Sequence, residues 1–289
     1  MTNRVILIGH PVGHSISPNF QQAAYDHKSL DLTYQSQDIN PLDLHAFLET
    51  MRSSNILGAN VTVPHKENVV PLIDELDEDA RLIGAVNTIA NRNGRLVGYN
   101  TDAPGFLRSL IEVAGFDPVN KSALIIGAGG AAKAVAFALS KHGASTIYVA
   151  NRTHKKAWNL IRALEPLGTF ARAMSLEDNE LKQISKQSPI IINATTMGLY
   201  GGPEPDRSPL HHTDISPNSL VVDLVYNPAQ TPLLREASIS GASILGGLPM
   251  LVYQGAVCFN ILTGLEAPIE VMYSAAQSAM SKRNLEPYT

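Results

Sequence analysis

One glycine-rich segment constrains the fold of this chain more than any other part of its sequence. The apolar run Leu124-Ile125-Ile126 leads directly into Gly127-Ala128-Gly129-Gly130-Ala131-Ala132, and a helical pattern over residues 131–141 follows. A Gly-x-Gly-x-x-Gly/Ala motif between a strand and a helix is typical of dinucleotide-binding folds. Gly127 permits the tight turn, Gly129 lets the backbone approach a pyrophosphate, and Ala132 allows close packing of helix on strand. The segment therefore predicts a Rossmann-type unit.

Short β-like runs alternate with helical patterns along the rest of the chain, which is the pattern of parallel α/β proteins. Strands are predicted at residues 4–8, 33–37, 58–63, 85–90, 96–99, 123–126, 146–150, 190–193, 220–225 and 243–245. Helices are predicted at residues 17–25, 41–51, 104–114, 131–141, 250–262 and 271–280. Ser17 and Pro18 have the order of an N-cap followed by a first-turn proline. Asn93-Gly94 predicts a hairpin between two of the strands.

The length of 289 residues exceeds one typical domain and indicates two. We expect residues 1–103 and 247–289 to form a substrate-binding and catalytic α/β domain, to which the C-terminal helices return. Residues 104–246 are expected to form the Rossmann-type cofactor domain.

Charge and apolar content exclude several classes of protein. A formal net charge of -4 offers no basic surplus for phosphates, so neither nucleic acid nor an acidic membrane surface is an expected partner. The single cysteine, Cys258, cannot form an intramolecular disulfide, and its apolar neighbours predict a buried thiol. The apolar stretch near the N-terminus is too short for a signal peptide, and no apolar run reaches the roughly 18 residues that span a bilayer. We therefore expect a cytoplasmic protein.

The strand that follows the glycine motif decides between the two nicotinamide cofactors. An NAD site places Asp or Glu about 20 residues after the glycines, where it binds the ribose 2′-hydroxyl. Here residues 146–150 are followed by Asn151-Arg152-Thr153, with Lys155 and Lys156 beyond, and no carboxylate stands there. A guanidinium pairs with a 2′-phosphate at two points, whereas a carboxylate would repel it. NADP is the expected cofactor, although a solvated basic helix start would have the same composition.

A nicotinamide enzyme also needs a proton donor beside the carbonyl that accepts hydride. Lys66 and Asp102 both follow predicted strands of the N-terminal domain, where open α/β sheets gather their ligands. Lysine becomes a useful proton donor when it is partly desolvated, and a neighbouring aspartate fixes its position and charge. On spacing alone the pairing is weak, because single charged residues at strand ends are usually solvated.

A series of motifs resembles the successive signature blocks of the shikimate dehydrogenase family. They are Ser15-Ile16-Ser17-Pro18, Asn60-Val61-Thr62-Val63-Pro64-His65-Lys66, Gly84-Ala85-Val86-Asn87-Thr88, Gly98-Tyr99-Asn100-Thr101-Asp102, the glycine motif, Asn151-Arg152-Thr153, Asn193-Ala194-Thr195, Asp223-Leu224-Val225-Tyr226-Asn227-Pro228 and Gly247-Leu248-Pro249-Met250-Leu251-Val252-Tyr253-Gln254. They occur in the family's order and span nearly the whole chain. The blocks that contain Lys66 and Asp102 are the most specific.

The resemblance implies an NADP-dependent oxidoreductase that reversibly reduces 3-dehydroshikimate to shikimate in chorismate and aromatic amino acid biosynthesis. It implies that Lys66 and Asp102 are the catalytic pair. The implied substrate-binding residues are Ser15, Ser17, Thr62, Asn87, Tyr226 and Gln254. The implied cofactor-binding residues are Gly127, Ala128, Gly129, Gly130, Ala131, Ala132, Asn151, Arg152, Thr153, Lys156 and Gly247. Shikimate carries three hydroxyls and a carboxylate, so short hydroxyl and amide side chains suit it.

Several alternatives are also consistent with the sequence. A sister enzyme could act on quinate or an amino analogue, although quinate-preferring relatives often have threonine where Ser17 stands. Lys156 departs from the arginine that the family often has at this position, which is expected to soften selectivity for the 2′-phosphate. Ser17 could serve only to cap a helix, and Asn87 only to satisfy backbone in a turn. A catalytically silent NADP or shikimate sensor is a further alternative, against which the presence of both Lys66 and Asp102 argues. The sequence assigns no function to the loop at residues 197–206.

Neither pair of histidines in the sequence predicts a metal site. His10 and His14 are four positions apart, but Pro11 and Gly13 prevent the helix that would align them. His211-His212 lies in a polar loop without a cluster of Cys or acidic residues nearby in sequence. We therefore expect no metal. A homodimer is a candidate assembly, which the sequence itself does not determine.

Overall fold

The computed structural model describes residues 3–283, and within them it contains twelve strands and eleven α-helices. The strands are β1 (Asn3–Gly9), β2 (Leu32–Asp38), β3 (Ile56–Val61), β4 (Glu75–Leu76), β5 (Thr88–Arg92), β6 (Arg95–Tyr99), β7 (Ser122–Ile126), β8 (Thr146–Asn151), β9 (Phe170–Ser175), β10 (Ile190–Asn193), β11 (Leu220–Asp223) and β12 (Ser243–Leu245). The helices are α1 (Ser17–His27), α2 (Leu44–Ser53), α3 (His65–Asn68), α4 (Glu78–Ile83), α5 (Asp102–Arg108), α6 (Gly130–Lys141), α7 (His154–Leu164), α8 (Leu181–Gln187), α9 (Pro232–Ser240), α10 (Leu248–Thr263) and α11 (Ile269–Arg283).

The chain divides into two compact units, one of Met1–Gly105 with Leu251–Thr289 and the other of Phe106–Met250. Each unit contains a six-stranded sheet, in the orders β2-β1-β3-β5-β6-β4 and β12-β11-β10-β7-β8-β9. The predicted class, two α/β units of which the second is Rossmann-type, is confirmed. None of the helices within residues 3–283 is long and apolar enough to cross a membrane.

The sheet of the first unit is mixed, whereas the sequence pattern indicated parallel strands. β1 pairs in parallel with β2 and β3, but β5 runs antiparallel to both β3 and β6. The reversal comes from the predicted hairpin, in which Asn93 and Gly94 have φ of 56° and 89° and join β5 directly to β6. Because β5 is reversed, its first residues lie at the edge where β1, β3 and β6 end. That edge carries the candidate catalytic residues.

The core of the first unit explains why its helices form where they do. The predicted apolar face of α2 is buried: Leu44, Phe47, Leu48 and Met51 are all less than 8% exposed. Burying side chains of this size contributes about 1.5–3 kcal/mol each. A cluster on the same side of the sheet includes Ile6, Ile8, Ile56, Val61 and Ile89. α1 packs against α11, so the C-terminal helix belongs to this unit.

The sheet of the second unit is parallel throughout, with β7 between β10 and β8. Strands β10 and β11 are buried along their whole length, and all four residues of β10 are less than 1% exposed. Burial on both faces is typical of parallel sheets covered by helices, and it explains the continuous Ile, Leu and Val runs of the sequence. The sheet places the carboxyl ends of β7, β10 and β11 side by side, beneath the glycine motif.

Three features differ from the sequence-based expectations. β9, α7, α8 and α9 were not predicted, nor were the short β4, α3 and α4. Ser17 is not an N-cap: α1 begins at Ser17 itself, its cap residue is Ile16, and no side chain caps it. The predicted helix at residues 104–114 is α5 followed by a wider π-helical turn over Ser109–Val113.

Candidate active site

The edge of the first sheet gathers most of the predicted substrate and catalytic residues. Thr62 follows β3 and Asp102 follows β6, and both strands end at this edge. Asn87 immediately precedes the reversed β5, whose Thr88 pairs with Asn60 on β3 and with Tyr99 on β6. The strand directions therefore bring together residues from separate motifs.

Lys66 and Asp102 form a largely buried ion pair. The Lys66 ammonium donates to Oδ2 of Asp102, and the two side chains are 16% and 6% exposed. The turn that carries Lys66 is fixed on both sides: its carbonyl accepts from the Val86 backbone N–H at 2.8 Å. The preceding His65 is fully buried and donates from Nε2 to the carbonyl of Ile39 at 2.7 Å. A charge pair in this setting holds its geometry, because neither partner can leave without stranding the other in a desolvated position.

Asn87 connects this pair to two further side chains. Its Nδ2 donates to Oδ1 of Asp102 at 2.9 Å, and it lies 2.8 Å from Thr101 Oγ1 and 3.2 Å from Gln254 Oε1. Its Oδ1 accepts from the Thr101 backbone N–H at 2.7 Å. Asn87 therefore does not merely satisfy the backbone of a turn. The second carboxylate oxygen of Asp102 is held by an amide while the first holds Lys66.

Gly105 explains how Gln254 on α10 reaches this cluster. A Cβ added at Gly105 would lie 2.6 Å from the backbone N of Gln254 and 2.8 Å from its Cα. No side chain fits such a distance, so the glycine permits the start of α5 to touch α10 backbone to backbone. The close approach places Gln254 Oε1 within reach of Asn87 and Thr101.

The loop after β1 carries the two predicted serines. Ser15 Oγ donates to Ser17 Oγ at 3.1 Å and accepts from the Ser17 backbone N–H at 3.1 Å. Since Ser17 caps no helix, its hydroxyl is available to this pair. Asp38, at the end of β2, holds the same loop: it binds His10 Nδ1 at 2.5 Å and accepts from the Val12 N–H at 3.2 Å. The hydrogen bond from His10 lowers the pKa of Asp38 below its usual value.

A layer of buried polar groups lies directly under Asn87. The Asn60 side-chain amide donates to the Asn87 carbonyl at 3.2 Å and also contacts Cys258 Sγ at 3.1 Å, while Tyr34 donates to Asn60 Oδ1 at 2.8 Å. Cys258 is buried as predicted, and burial raises the pKa of its thiol to about 11. The thiol therefore stays protonated, and the layer serves as a rigid support for the site above it.

In the second unit, the glycine motif has the geometry of a dinucleotide cradle. Gly127 has a φ of 114°, and a Cβ there would lie 2.8 Å from the carbonyl oxygen of Ala194, so only glycine fits. A Cβ added at Gly129 would meet nothing within 4 Å, which leaves open space beside the backbone at the start of α6. Ala132 is fully buried against the sheet. The start of a helix offers unpaired N–H groups and the positive end of its dipole, which phosphate binding requires.

Arg152 lies in the position expected for recognition of a 2′-phosphate. It follows Asn151 at the carboxyl end of β8, and its side chain is exposed. Asn151 donates from Nδ2 to the carbonyl of Thr153 at 2.9 Å, which shapes the turn into α7. Lys155 and Lys156 are exposed in the first turn of that helix. The residues present therefore fit a phosphorylated dinucleotide, with the pyrophosphate on α6 and a positive group for the additional phosphate.

Two further predicted residues also lie in the second unit. Gly247 is buried, and its backbone passes so close to the carbonyl of Leu224 that a side chain would collide with it. Tyr226 is half-buried in the loop after β11. Ser15, Ser17, Thr62, Asn87 and Gln254, the other predicted substrate residues, belong to the first unit.

The end of β11 carries a buried carboxylate that sequence reasoning missed. Asp223 is fully buried, and burial raises its pKa to about 6 despite hydrogen bonds that lower it. Oδ2 accepts from the Thr231 hydroxyl at 2.6 Å, and Oδ1 accepts from the Val225 N–H at 3.0 Å and from Asn193 Nδ2 at 2.9 Å. Asp223 and Asn193 stand in recognised motifs, but only the fold shows that they touch. Thr101 was missed similarly, although it lies beside Asp102.

The His211-His212 pair has a carboxylate neighbour, contrary to the sequence-based expectation. Glu236, from α9, binds His212 Nδ1 at 2.8 Å and accepts from the His212 backbone N–H at 2.7 Å. Ligand atoms of the three residues lie within 4.8 Å of one another, the one such group among residues 3–283. His211 Nδ1 contacts the Thr213 hydroxyl at 2.9 Å, so an imidazole nitrogen on each histidine is already used.

Models of three protein-family domains match the chain. The shikimate dehydrogenase substrate binding domain matches residues 7–89, shikimate / quinate 5-dehydrogenase matches residues 113–224, and the shikimate 5′-dehydrogenase C-terminal domain matches residues 247–277. The three matches together cover most of the chain.

Individual proteins are similar over nearly the whole length. A shikimate dehydrogenase (NADP(+)) of Methanopyrus kandleri is 46% identical over 276 residues, which cover 95% of this chain and 94% of the relative. A shikimate dehydrogenase (NADP(+)) of Desulforamulus reducens is 44% identical over 96% of this chain and 95% of its own length. The crystal structure of shikimate 5-dehydrogenase from Thermus thermophilus, in complex with NADP(H) and shikimate, has a TM-score of 0.85 at 38% identity and covers 96% of this chain and 99% of that one.

Proposed function

The chain belongs to the shikimate dehydrogenase family, and from that premise we propose that its Lys66–Asp102 pair catalyses the NADP-dependent, reversible reduction of 3-dehydroshikimate to shikimate. This reaction belongs to chorismate biosynthesis, which supplies the aromatic amino acids. The observation that carries the assignment of residues is the ion pair itself. A lysine and an aspartate from separate motifs meet at the sheet edge, largely shielded from water and braced by Asn87.

Lys66 is the proton donor in this proposal. NADPH, when bound, supplies the hydride for the carbonyl carbon. The Lys66 ammonium has three protons and gives one hydrogen bond to Asp102, so it has donors left for the carbonyl oxygen of the substrate. There it stabilises the negative charge that develops on oxygen and then transfers a proton to it. In the oxidation of shikimate, the same amine accepts that proton.

Asp102 orients Lys66 and takes part in substrate binding. Because Oδ2 holds the ammonium and Oδ1 accepts from Asn87, the carboxylate cannot rotate freely. Each carboxylate oxygen has more than one lone pair, so Asp102 can still accept from a ring hydroxyl of the substrate. A substrate that lacked this hydroxyl would leave the buried charge of Asp102 less well solvated. The site therefore favours hydroxylated substrates over deoxy analogues.

The remaining substrate contacts follow from side-chain chemistry. We assign the carboxylate of shikimate to Ser15 and Ser17, whose adjacent hydroxyls can both turn to donate. Asn87 and Gln254 are assigned to ring hydroxyls, because both amides already converge beside Asp102. Thr62 at the same edge and Tyr226 in the second unit complete the proposed set.

The cofactor contacts are assigned to the second unit. The glycine motif, from Gly127 to Ala132 at the start of α6, is proposed to bind the pyrophosphate through backbone N–H groups. Asn151, Arg152, Thr153 and Lys156 are proposed to bind the adenosine ribose and its 2′-phosphate. Arg152 is exposed and has no acidic residue in its motif, so its fork of donors is available to a phosphate. Gly247 is proposed to let the backbone lie close to the cofactor.

A rate measurement tests this function. The purified protein is mixed with NADPH and 3-dehydroshikimate, and the absorbance of the reduced nicotinamide is followed. The proposal predicts turnover that depends on both compounds, and faster turnover with NADPH than with NADH. The same assay run backwards with shikimate or quinate, each with NADP or NAD, separates the sister activity. Preference for quinate with NAD would contradict the proposal, and so would tight binding of NADPH and 3-dehydroshikimate without turnover, which is the behaviour of a sensor.

The cellular location and the assembly state of the enzyme are also proposals. We place the enzyme in the cytoplasm, where NADPH for biosynthetic reductions is regenerated; fractionation of the native cell tests this. We propose a homodimer because the edge strand β12 exposes Ile244 and the adjoining α9 exposes Ile239, at 45% and 65%. Sedimentation equilibrium of the wild type and of Ile239→Lys measures the assembly. A wild-type monomer would contradict it.

A further inference from the structure

Asp223 has an environment that the proposed chemistry does not use. Its carboxylate is fully buried at the carboxyl end of β11 and accepts three hydrogen bonds, from Thr231, Val225 and Asn193. The groups that contact it from β10, from the loop after β11 and from the start of α9 are all neutral, so no positive charge offsets its own. Burying a carboxylate without a positive partner costs folding free energy. Its presence here therefore indicates that its hydrogen bonds have a role that an apolar side chain could not fill.

A chain of hydrogen bonds runs from Asp223 to the glycine motif. Asn193 donates to Asp223 with its amide nitrogen and accepts with its amide oxygen from Thr195, at 2.6 Å from the hydroxyl and 3.1 Å from the backbone N–H. The intervening Ala194 donates its N–H to the carbonyl of Ile126 at 2.8 Å. Its own carbonyl is the group that a Cβ at Gly127 would approach to 2.8 Å. The turn at residues 193–195 therefore forms one wall of the glycine motif.

Asp223 is also next in the chain to a second close backbone contact. Leu224, the next residue after Asp223, donates its N–H to the Asn193 carbonyl at 3.0 Å, and its own carbonyl packs against the backbone of Gly247. Asp223 thus lies at the ends of β10 and β11. The residues that follow these two strands pack against Gly127 and Gly247, where a side chain would collide with the neighbouring backbone.

We propose that Asp223 is a positioning residue of the cofactor site, whose carboxylate charge holds the Asn193–Thr195 turn against the glycine motif and thereby sets the affinity for the dinucleotide. This rests on the cofactor role proposed for the second unit and adds to it a dependence on pH. A charged acceptor binds an amide N–H more strongly than a neutral carboxyl does. Protonation of Asp223 therefore loosens its grip on Asn193, and through Asn193 on the turn. A pKa of about 6 places the change within a range that is easy to measure.

The dissociation constant of NADH, measured by titration of nicotinamide fluorescence between about pH 5 and pH 7.5, tests the proposal. NADH is the probe because it lacks the 2′-phosphate of NADPH, which itself titrates near pH 6. The wild type is expected to bind NADH roughly threefold to tenfold more weakly at the acidic end, as the weakening of one or two hydrogen bonds implies. A flat wild-type profile overturns the proposal.

The variant Asp223→Asn has nearly the same shape and no charge at any pH. It is expected to bind NADH at neutral pH as weakly as the wild type does in acid, with no further change on acidification. The substitution leaves every other titratable group and the cofactor unchanged, so a slope that survives in this variant comes from another group and overturns the proposal. Asp206→Asn, a charge-matched change at an exposed position, is expected to behave as the wild type.

Thr231→Val supplies a second test that does not depend on the folding of Asp223→Asn. The Thr231 hydroxyl lowers the pKa of Asp223, so its removal is expected to raise the pH at which NADH affinity falls. Thr231→Ser keeps the donor and the cap of α9 and is expected to leave the midpoint in place. An unchanged midpoint in Thr231→Val overturns the proposal. A wild type that binds neither NADH nor NADPH at any pH refutes the cofactor role as well, which distinguishes that failure from a flat profile.

Discussion

Asn87 and Asp102 are joined by a 2.9 Å hydrogen bond from the Asn87 amide to Oδ1, the carboxylate oxygen that Lys66 does not occupy. The carboxylate is thus held from two sides by groups of different kinds, one charged and one neutral. An aspartate held in this way fixes both the direction of the lysine and the direction of its own remaining lone pairs.

Asp102→Asn is expected to lower kcat by about 10²-fold or more, because it leaves Lys66 in a largely desolvated position without its negative partner. The KM for shikimate should also rise, since Asp102 is assigned a substrate hydroxyl. Steady-state kinetics measures both. Glu112→Gln, which removes an exposed partner of Arg108, serves as the control and should change neither. Near-normal kcat in Asp102→Asn would exclude the assigned role.

Gly105→Ala is expected to weaken substrate binding although it stabilises an isolated helix. Alanine in a helix gains about 0.5–1 kcal/mol over glycine. The added Cβ, however, would lie 2.6 Å from the Gln254 backbone N, so α10 must shift and withdraw Gln254 from Asn87. The KM for shikimate should rise roughly tenfold, the equivalent of one lost hydrogen bond, with a smaller change in kcat.

The matching double variant decides whether that effect passes through Gln254. Because the two residues are in contact, Gly105→Ala combined with Gln254→Ala should bind shikimate about as weakly as Gln254→Ala alone. Fully additive losses would show that Gly105 acts by another route.

Arg152→Ala is expected to raise the KM for NADPH roughly 10-fold to 100-fold, because it removes a charge-assisted pair with the 2′-phosphate. The KM for NADH should change little. Arg162→Ala, in the last turn of α7, removes an equal charge and should affect neither cofactor. Equal losses for NADH and NADPH would contradict the assignment of Arg152 to the phosphate.

Asp223 should also make stability depend on pH. Its pKa is about 6 in the folded protein against 3.8 for an ordinary aspartate, so it contributes stability that is fully present below pH 3.8 and is lost as pH rises through 6. Asp223→Asn has no such loss. In denaturant titrations, the stability of the variant relative to the wild type should increase between these two pH values by up to roughly 3 kcal/mol. A difference independent of pH would contradict the raised pKa.

The sequence predicts well wherever one local pattern determines the structure. The glycine motif required a strand before it and a helix after it, and β7 and α6 are there. Asn93-Gly94 required a tight hairpin, which the positive φ of both residues confirms. β9 was missed because its sequence, Phe-Ala-Arg-Ala-Met-Ser, has neither β-branched residues nor a regular alternation of apolar and polar residues. Its pairing with β8 decides its conformation.

The candidate site could be foreseen only as separate motifs. Lys66 and Asp102 are 36 positions apart, and Asn87 and Gln254 are 167 positions apart, so their contacts depend on the direction of β5 and on the absence of a side chain at Gly105. At Ser17, by contrast, a local pattern led to a wrong prediction. Its local sequence indicated a helix cap, whereas the hydroxyl contacts Ser15. Hydrogen bonds over long sequence separations leave no periodic signal.

The turnover number of Lys66→Ala at saturating NADPH and 3-dehydroshikimate tests the central claim most directly. Lys186→Ala, at an exposed position on α8, is the charge-matched control. A proton donor acts chiefly in the transition state, so kcat should fall by about 10²-fold to 10⁴-fold while the KM changes modestly. A kcat within a few-fold of the wild type would show that another group transfers the proton, and the Lys66–Asp102 pair would lose its catalytic role.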